Sequence, residues 1–326
     1  MLMCRLAVLT RDAGAALART LHAALGGAVA LLMFASFGTL LSRTLQMNGG
    51  AWSTLWPDMR LALAVTHFGH VWLWRLPALA LLWLAWTWNL KHTRHARIAG
   101  WLMLVAASVI ALTRSETGHP ADHGDFTLAV WLDWTHLLAA ATWVGSLFGM
   151  SLAVFPELLK MREPSPRQAA AIFHRLSTLS GLALAMLLAC GIYNAIRQLG
   201  SVAALWTTPY GMVLDIKLAI VLAMIAIGAH NRYVKLPRLL ALAGSPSRPS
   251  WLARMLPMRP FAGRTHSTDK VLRNCARAVL FESLLGLAVI GATATLIHAM
   301  PPDDRGSMQG MAGVPDNPGV IHSGIR

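Results

Sequence analysis

Between Ser115 and Gly145 the chain reads SETGHPADHGDFTLAVWLDWTHLLAAATWVG, with three histidines and four acidic residues crowded at the start of an apolar run. His119 and His123 sit in a short polar loop. They are four apart with Pro120 between them, which argues against a regular helix, yet a loop can bring both rings to one ion. His136 lies inside the apolar run, three residues after Asp133. That spacing puts both on one helical face, with the carboxylate placed to accept from the ring. His298 closes a later apolar run, with Met300 two residues on. Imidazole and thioether groups are borderline or soft ligands. Beside membrane-length segments they point to metal handling at a membrane face. For His136 a plain hydrogen bond between helices stays open as the alternative.

The elements that must position these residues are membrane helices. The chain is 56% hydrophobic and 13% charged, with 13 tryptophans, where a soluble domain is about a quarter charged. Apolar runs recur at roughly 18–41, 68–89, 98–114, 127–155, 176–199, 210–232 and 277–299. Each is near the ~20 residues that cross ~30 Å of hydrocarbon. The first is too long for a signal-peptide core and is read as a helix. The fold class is therefore all-α, a polytopic transmembrane helical bundle of seven spans over residues 1–299. The ~10-residue alternation of a transmembrane barrel is absent.

Basic residues predict the orientation. Arg5, Arg11 and Arg19 gather at the start of span one, and Lys91, Arg94 and Arg97 separate spans two and three. Lys160, Arg162, Arg167 and Arg175 separate spans four and five, and the connection after span six carries ten more. These alternate connections hold 20 of the 28 basic residues. The positive-inside rule then places the N-terminus in the cytoplasm and the C-terminus outside. Residues 233–272 read as a basic, flexible cytoplasmic loop with one surface helix at most, and 300–326 as a flexible outer tail with spaced methionines. The net charge of +14 follows from these loops meeting anionic lipid; no motif supports nucleic-acid binding. Trp52, Trp56, Trp72, Trp74, Trp131, Trp134 and Trp206 are expected at the outer interface, and Trp88 and Trp101 at the inner one. Cys4, Cys190 and Cys275 form no CxxC pair, so neither a disulfide framework nor a zinc ribbon is implied.

One pattern repeats. Thr66-His-Phe-Gly69 leads to Arg75, and Thr208-Pro-Tyr-Gly211 leads to Lys217, with Thr, Gly and the basic residue at offsets 0, +3 and +9. Arg75, Lys217, Asp133 and Asp215 are expected at one depth, with His136 a turn deeper. Buried ionisable groups pair with one another or mark a pathway. Both readings stand: helix-gluing salt bridges, or a gate above the metal path.

Gly118-His119, His136-x6-Trp143-x-Gly145, Thr208-Pro-Tyr-Gly211 with Lys217, Asn231-Arg232, Glu282-x3-Gly286 and Pro301-Pro302 together resemble the CopD copper-resistance membrane family. The likeness is strongest from about 118 to 301. It implies a bacterial inner-membrane protein that takes copper from the periplasm, passes it toward the cytoplasm, and works with a small periplasmic copper-binding protein of the CopC type. Histidine suits copper in either oxidation state and methionine favours Cu(I), so His119, His123, His136, His298 and Met300 become the expected copper ligands. Asp133, Arg75, Asp215 and Lys217 would support or gate them. No P-loop or phosphorylation motif is present, so a non-enzymatic permease is expected. Two rivals remain: a membrane dock for the periplasmic partner without transport, and a b-type haem cytochrome.

Overall fold

The computed structural model describes residues 1–3, 15–91, 95–121, 124–161, 165–199, 203–244 and 268–298. Among them the chain is helical with no strand. Seven helical stretches are long and apolar enough to span a bilayer: Ala16–Met47, His67–Trp88, Ala96–Ser115, Leu128–Lys160, Pro166–Ile196, Gly211–Leu242 and Asp269–Thr295. They match the seven expected spans one for one. Their surfaces carry Leu31, Phe34, Leu84, Leu182, Ile196 and Leu222, all more than half exposed, as a lipid-facing surface requires.

The elements are α1 (Ala15–Met47), α2 (Leu55–Val65), α3 (His67–Leu73), α4 (Arg75–Lys91), α5 (Ala96–Ser115), α6 (Leu128–Gly149), α7 (Phe155–Lys160), α8 (Pro166–Leu199), α9 (Ala204–Thr207), α10 (Pro209–His230), α11 (Leu236–Leu242) and α12 (Thr268–His298). Packing divides them into two groups. Val29 of α1 joins Leu79 and Leu82 of α4 and Met103 and Ala106 of α5 in one core. A second core gathers α6, α7, α8, α10, α11 and α12, with Leu17 of α1 reaching into it. Helix α5 packs on α6 and links the groups.

Three prolines interrupt the spans, each for the same reason. A proline within a helix has no N–H for the carbonyl four residues back and crowds that carbonyl. Pro77 would address Leu73, and there α3 ends and α4 begins after one intervening residue, Trp74. Pro156 follows a π turn at Met150–Val154, and Pro237 follows another at Asn231–Lys235. In both the proline stands six residues after the first residue of the π turn. The π turns let span four run on into α7 and span six into α11.

The spans also run longer than expected at the end that carries the basic connections. Helix α8 has 34 residues, about 50 Å at 1.5 Å per residue, well beyond the hydrocarbon. The surplus packs into a helical cap, where Ile172 and Phe173 of α8, Leu236 and Leu239 of α11, and Leu272 and Cys275 of α12 are buried together. This corrects the expected loop 233–272: residues up to Leu242 and from Thr268 are helix. Residues 245–267 and the expected tail 300–326 lie outside the described residues. Trp72 is a second correction. It is buried, not interfacial, because its indole N–H donates to the Ser36 carbonyl at 3.2 Å and its ring meets Phe37 edge-on.

The Thr-x-x-Gly echo is a shared helix start. Thr66 and Thr208 are both extended, and each side chain accepts the glycine N–H three residues on at 3.0 Å. Each follows a short helix, α2 or α9, so the chain turns sharply into the span. At Gly69 the turn is so tight that a Cβ would strike the Ala62 carbonyl and the Leu63 backbone. Gly69→Ala is therefore expected to destabilise the protein by about 1–3 kcal/mol, and Thr66→Val by about 1 kcal/mol through the lost cap. Thermal unfolding in detergent, followed by tryptophan fluorescence, checks both. Gly27→Ala, where a Cβ meets nothing within 4 Å, is the control and should leave the midpoint unchanged or higher.

Candidate functional site

Arg75 stands just past the Pro77-induced break, 3% exposed. Its guanidinium is held by hydroxyls and a carbonyl: Nε donates to Thr113 Oγ1 at 2.7 Å, Nη1 to Thr39 Oγ1 at 3.2 Å, and Nη2 to the Thr113 carbonyl at 3.1 Å and Thr117 Oγ1 at 3.4 Å. The salt-bridge reading is thus corrected for Arg75. Five N–H donors in a rigid fork suit several neutral acceptors at once, and threonines on α1 and α5 supply them. Two residues along α5 from Thr113, Ser115 donates to Asp133 Oδ2 of α6 at 2.7 Å. Arg75 and Asp133 therefore sit on the same stretch of α5, as one polar layer requires.

His136 is half-buried on α6, a turn below Asp133. Its Nδ1 lies 3.2 Å from the Leu187 carbonyl of α8. A carbonyl oxygen only accepts, so Nδ1 carries the proton and, in the neutral ring, Nε2 keeps its lone pair. Gly191, one turn along α8, makes room for the ring: a Cβ there would come within 3.1 Å of His136 Cε1. The expected Asp133–His136 contact is corrected, because Asp133 is taken by Ser115 and the ring is oriented across to α8 instead. Lys217 of α10 and Asp133 lie within electrostatic reach of His136. No ion pair among the described residues involves Lys217 or Asp215.

The loop above this layer is compact. His119–Ala121 form a single 3₁₀ turn, Gly124 has φ +118°, and Phe126 takes a left-handed φ of 55°, which a bulky residue adopts only under constraint. The constraint is Glu116, whose Oε1 accepts the Phe126 N–H at 3.1 Å. Asp125 Oδ1 lies 2.8 Å from His67 Nε2, tying α3 to the loop. His70 is turned away, with Nε2 3.0 Å from the Ala64 carbonyl, so the pair at the top of span two is split between two partners. The His119 and His298 side chains, and all of His123 and Met300, lie outside the described residues. Among the described residues no three His, Cys, Asp or Glu side chains form a metal-binding group.

Sequence reasoning passed over Glu116, Asp125 and His67 as one linked group. It also passed over a second polar station toward the basic end. There Asn231 donates through Nδ2 to Glu282 Oε1, and Ser151 and Ser283 share a hydrogen bond at 2.9 Å. Pro156 and Pro237, just past the ends of two apolar runs, were the available signal, since a proline inside a helix that continues marks a local change of register.

A multi-pass helical membrane protein thus emerges, with an oriented histidine and a carboxylate-linked loop near one end. Residues 2–127 match the "Copper resistance protein D-like, N-terminal domain" family, and residues 170–296 match the "Copper resistance protein D" family. Inner membrane protein YebZ of Escherichia coli (strain K12) is 31% identical over 218 residues, covering 64% of this chain and 71% of that one. Copper transport protein CutJ of Bacillus subtilis (strain 168) is 26% identical over 208 residues, covering 63% of this chain but 38% of that one. The chain belongs to the CopD copper-resistance family, and its function is copper-related and membrane-bound. No solved structure gives a significant match.

Glu116 supplies a pH signature. Burial pushes its carboxyl above the usual glutamate range; the Phe126 N–H pulls it back, Asp125 pushes it further up and His67 draws it down. The folded state then holds this proton more tightly than the unfolded chain. That contribution is present in acid and lost as pH rises through the raised value. Glu116→Gln should flatten the fall of the thermal midpoint between acid and neutral pH. An unchanged slope in the variant would show that Glu116 does not set it.

Proposed function

We propose that the chain carries copper across the bacterial inner membrane, from the periplasm inward. Copper arrives at His119 and His123, with His298 and Met300 at the same face, and passes to His136. The N-terminus lies in the cytoplasm and the C-terminus outside. A periplasmic protein of the CopC type delivers the metal, and the chain catalyses no chemical step of its own. The observation that carries this reading is the orientation of His136. With Nδ1 engaged by the Leu187 carbonyl, Nε2 is the nitrogen left for a ligand, and a ring fixed by a carbonyl is the arrangement metal-binding histidines use. A single oriented imidazole binds copper exchangeably, as a pathway needs, where a closed four-ligand cage retains it. The Asp133 carboxylate within reach of Lys217 tempers the positive charge beside the path.

Copper uptake by proteoliposomes tests this, with metal content and visible spectrum read on the same preparation. Wild type should accumulate copper, and His136→Ala should reduce the rate at least tenfold while keeping the fold. Bound copper with no flux in wild type would move the assignment to a membrane dock for the periplasmic partner. A Soret band in a copper-free sample would make it a cytochrome.

A further inference from the structure

The two π turns aim polar side chains at adjacent residues of one helix. Asn231 opens the π turn of span six and reaches Glu282; Ser151, in the π turn of span four, reaches Ser283 at 2.9 Å. Glu282 is 3% exposed, Asn231 5% and Ser283 1%. Around Glu282 the fold is close-packed: Gly228 of α10 faces Glu282 Oε2, and one turn on Gly286 is fitted against Val144 of α6 and Met224 of α10. Such an arrangement in hydrocarbon is expensive, and a π turn is a frequent mark of a functional position.

The charged and titratable groups around Glu282 can be named. Lys235, one turn along from Asn231, is within electrostatic reach, but its ammonium donates to the Asn274 carbonyl at 3.1 Å. Arg238 and Cys275 lie beyond it, beside Lys235. Arg232 is turned outward to the Ser177 carbonyl and hydroxyl, at 2.9 and 3.1 Å. In the π turn that follows α6 Ser151 pairs with Ser283, and on α6 itself the Ser146 hydroxyl is buried without a partner among the described residues. Among the described residues no cation forms an ion pair with Glu282. The second oxygen-bearing atom at the site is also uncommitted, because Asn231 Oδ1 is buried with no hydrogen-bond partner.

We propose that Glu282 with Asn231 is a proton-binding site that couples proton movement to copper passage. The donors here are carboxylate, amide and hydroxyl oxygens, which are hard and suit a proton better than soft Cu(I). The pair has two self-consistent states. As a carboxylate, Glu282 accepts the Asn231 N–H, as the structure shows. When a proton adds to the carboxylate, the new O–H needs an acceptor, and a turn of the amide presents Asn231 Oδ1. The proton arrives from one side of the membrane and leaves to the other; no bond other than O–H forms or breaks. Asn231 is a positioning residue in this scheme. The same two spans, four and six, bear His136 and Lys217 toward the opposite end. A shift of either span is thereby felt at both stations.

This rests on the reading that the chain moves copper, and the test separates the two. Reconstituted wild type and Glu282→Gln are compared by infrared difference spectroscopy across pH, and by copper uptake into vesicles holding a pH-sensitive dye. The expected result is a protonated-carboxyl band that titrates in wild type, is missing in Glu282→Gln and shifts in Asn231→Ala. Copper uptake should change internal pH and respond several-fold to an imposed pH gradient in wild type, and lose that response in Glu282→Gln. An identical band in Glu282→Gln overturns the proton site. An unaltered gradient response in that variant overturns the coupling, and a drop in its bound copper makes Glu282 a copper ligand instead. Wild type that moves no copper refutes the transport reading, while the infrared band still decides whether Glu282 takes the proton.

Discussion

A helix bundle in hydrocarbon has no water to satisfy its polar side chains, so each must find its partner on another helix. That constraint organises this molecule more than apolar packing does, because lipid offers an exposed leucine much the same surroundings as the interior. Arg75 shows the constraint at its strongest. A guanidinium 3% exposed takes acceptors from two neighbouring helices, α1 and α5, and so fixes the spacing of α1, α4 and α5. Ser115 and Asp133 then join α5 to α6, and His136 joins α6 to α8. The chain of polar contacts runs across the bundle from one packed group of helices to the other.

The contacts concentrate at two levels. One holds Arg75, Asp133 and His136, with Lys217 in reach; the other holds Glu282, Asn231, Ser151 and Ser283. Between them the interior is mostly apolar, with Trp143, Leu147 and Met224 buried in the larger core beside the buried Ser146 hydroxyl. Such an arrangement separates a ligand-accepting station from a second polar station by a packed layer. Helices α6 and α10 run from the first level to the π turns at the second. Proline sets the local geometry at both, since Pro77 breaks the helix beside Arg75 while Pro156 and Pro237 follow the π turns that present Ser151 and Asn231.

Beyond the second level the helices continue as a cap that extends the larger apolar core. Its outer contacts are charge-assisted: Arg232 on Ser177, Lys235 on the Asn274 carbonyl, Arg167 on the Ala243 carbonyl at 3.3 Å, and Glu157 between Lys160 and Thr20. Arg167, which the charge pattern reads only as a topology signal, also closes a helix end here, at the Ala243 C-cap of α11. Positive charge near helix C-termini is favourable for the same electrostatic reason.

Seven spans, most of their ends away from the basic connections to within a few residues, and the polar nature of the 115–136 stretch were legible in the amino-acid order. Each depends on a sum over many neighbours along the chain: run length against bilayer thickness, and the clustering of ligand-type residues. Partner choice was not legible. Asp133 stands three residues from His136 and still binds Ser115, and Asn231 finds Glu282 across 51 positions of chain. Those choices turn on a few ångströms between helices, on the register shifts that Pro156 and Pro237 impose, and on the space left by Gly191. By itself the sequence determined that this is a helical membrane bundle with ligand-type residues at one end. Only the tertiary structure decided that the His136 ring is oriented from α8, that Arg75 rests on threonines, and that a carboxylate and an amide meet inside the bundle. The physical reason is that hydrogen bonds are satisfied by distance and direction in space, which spacing along a chain does not specify.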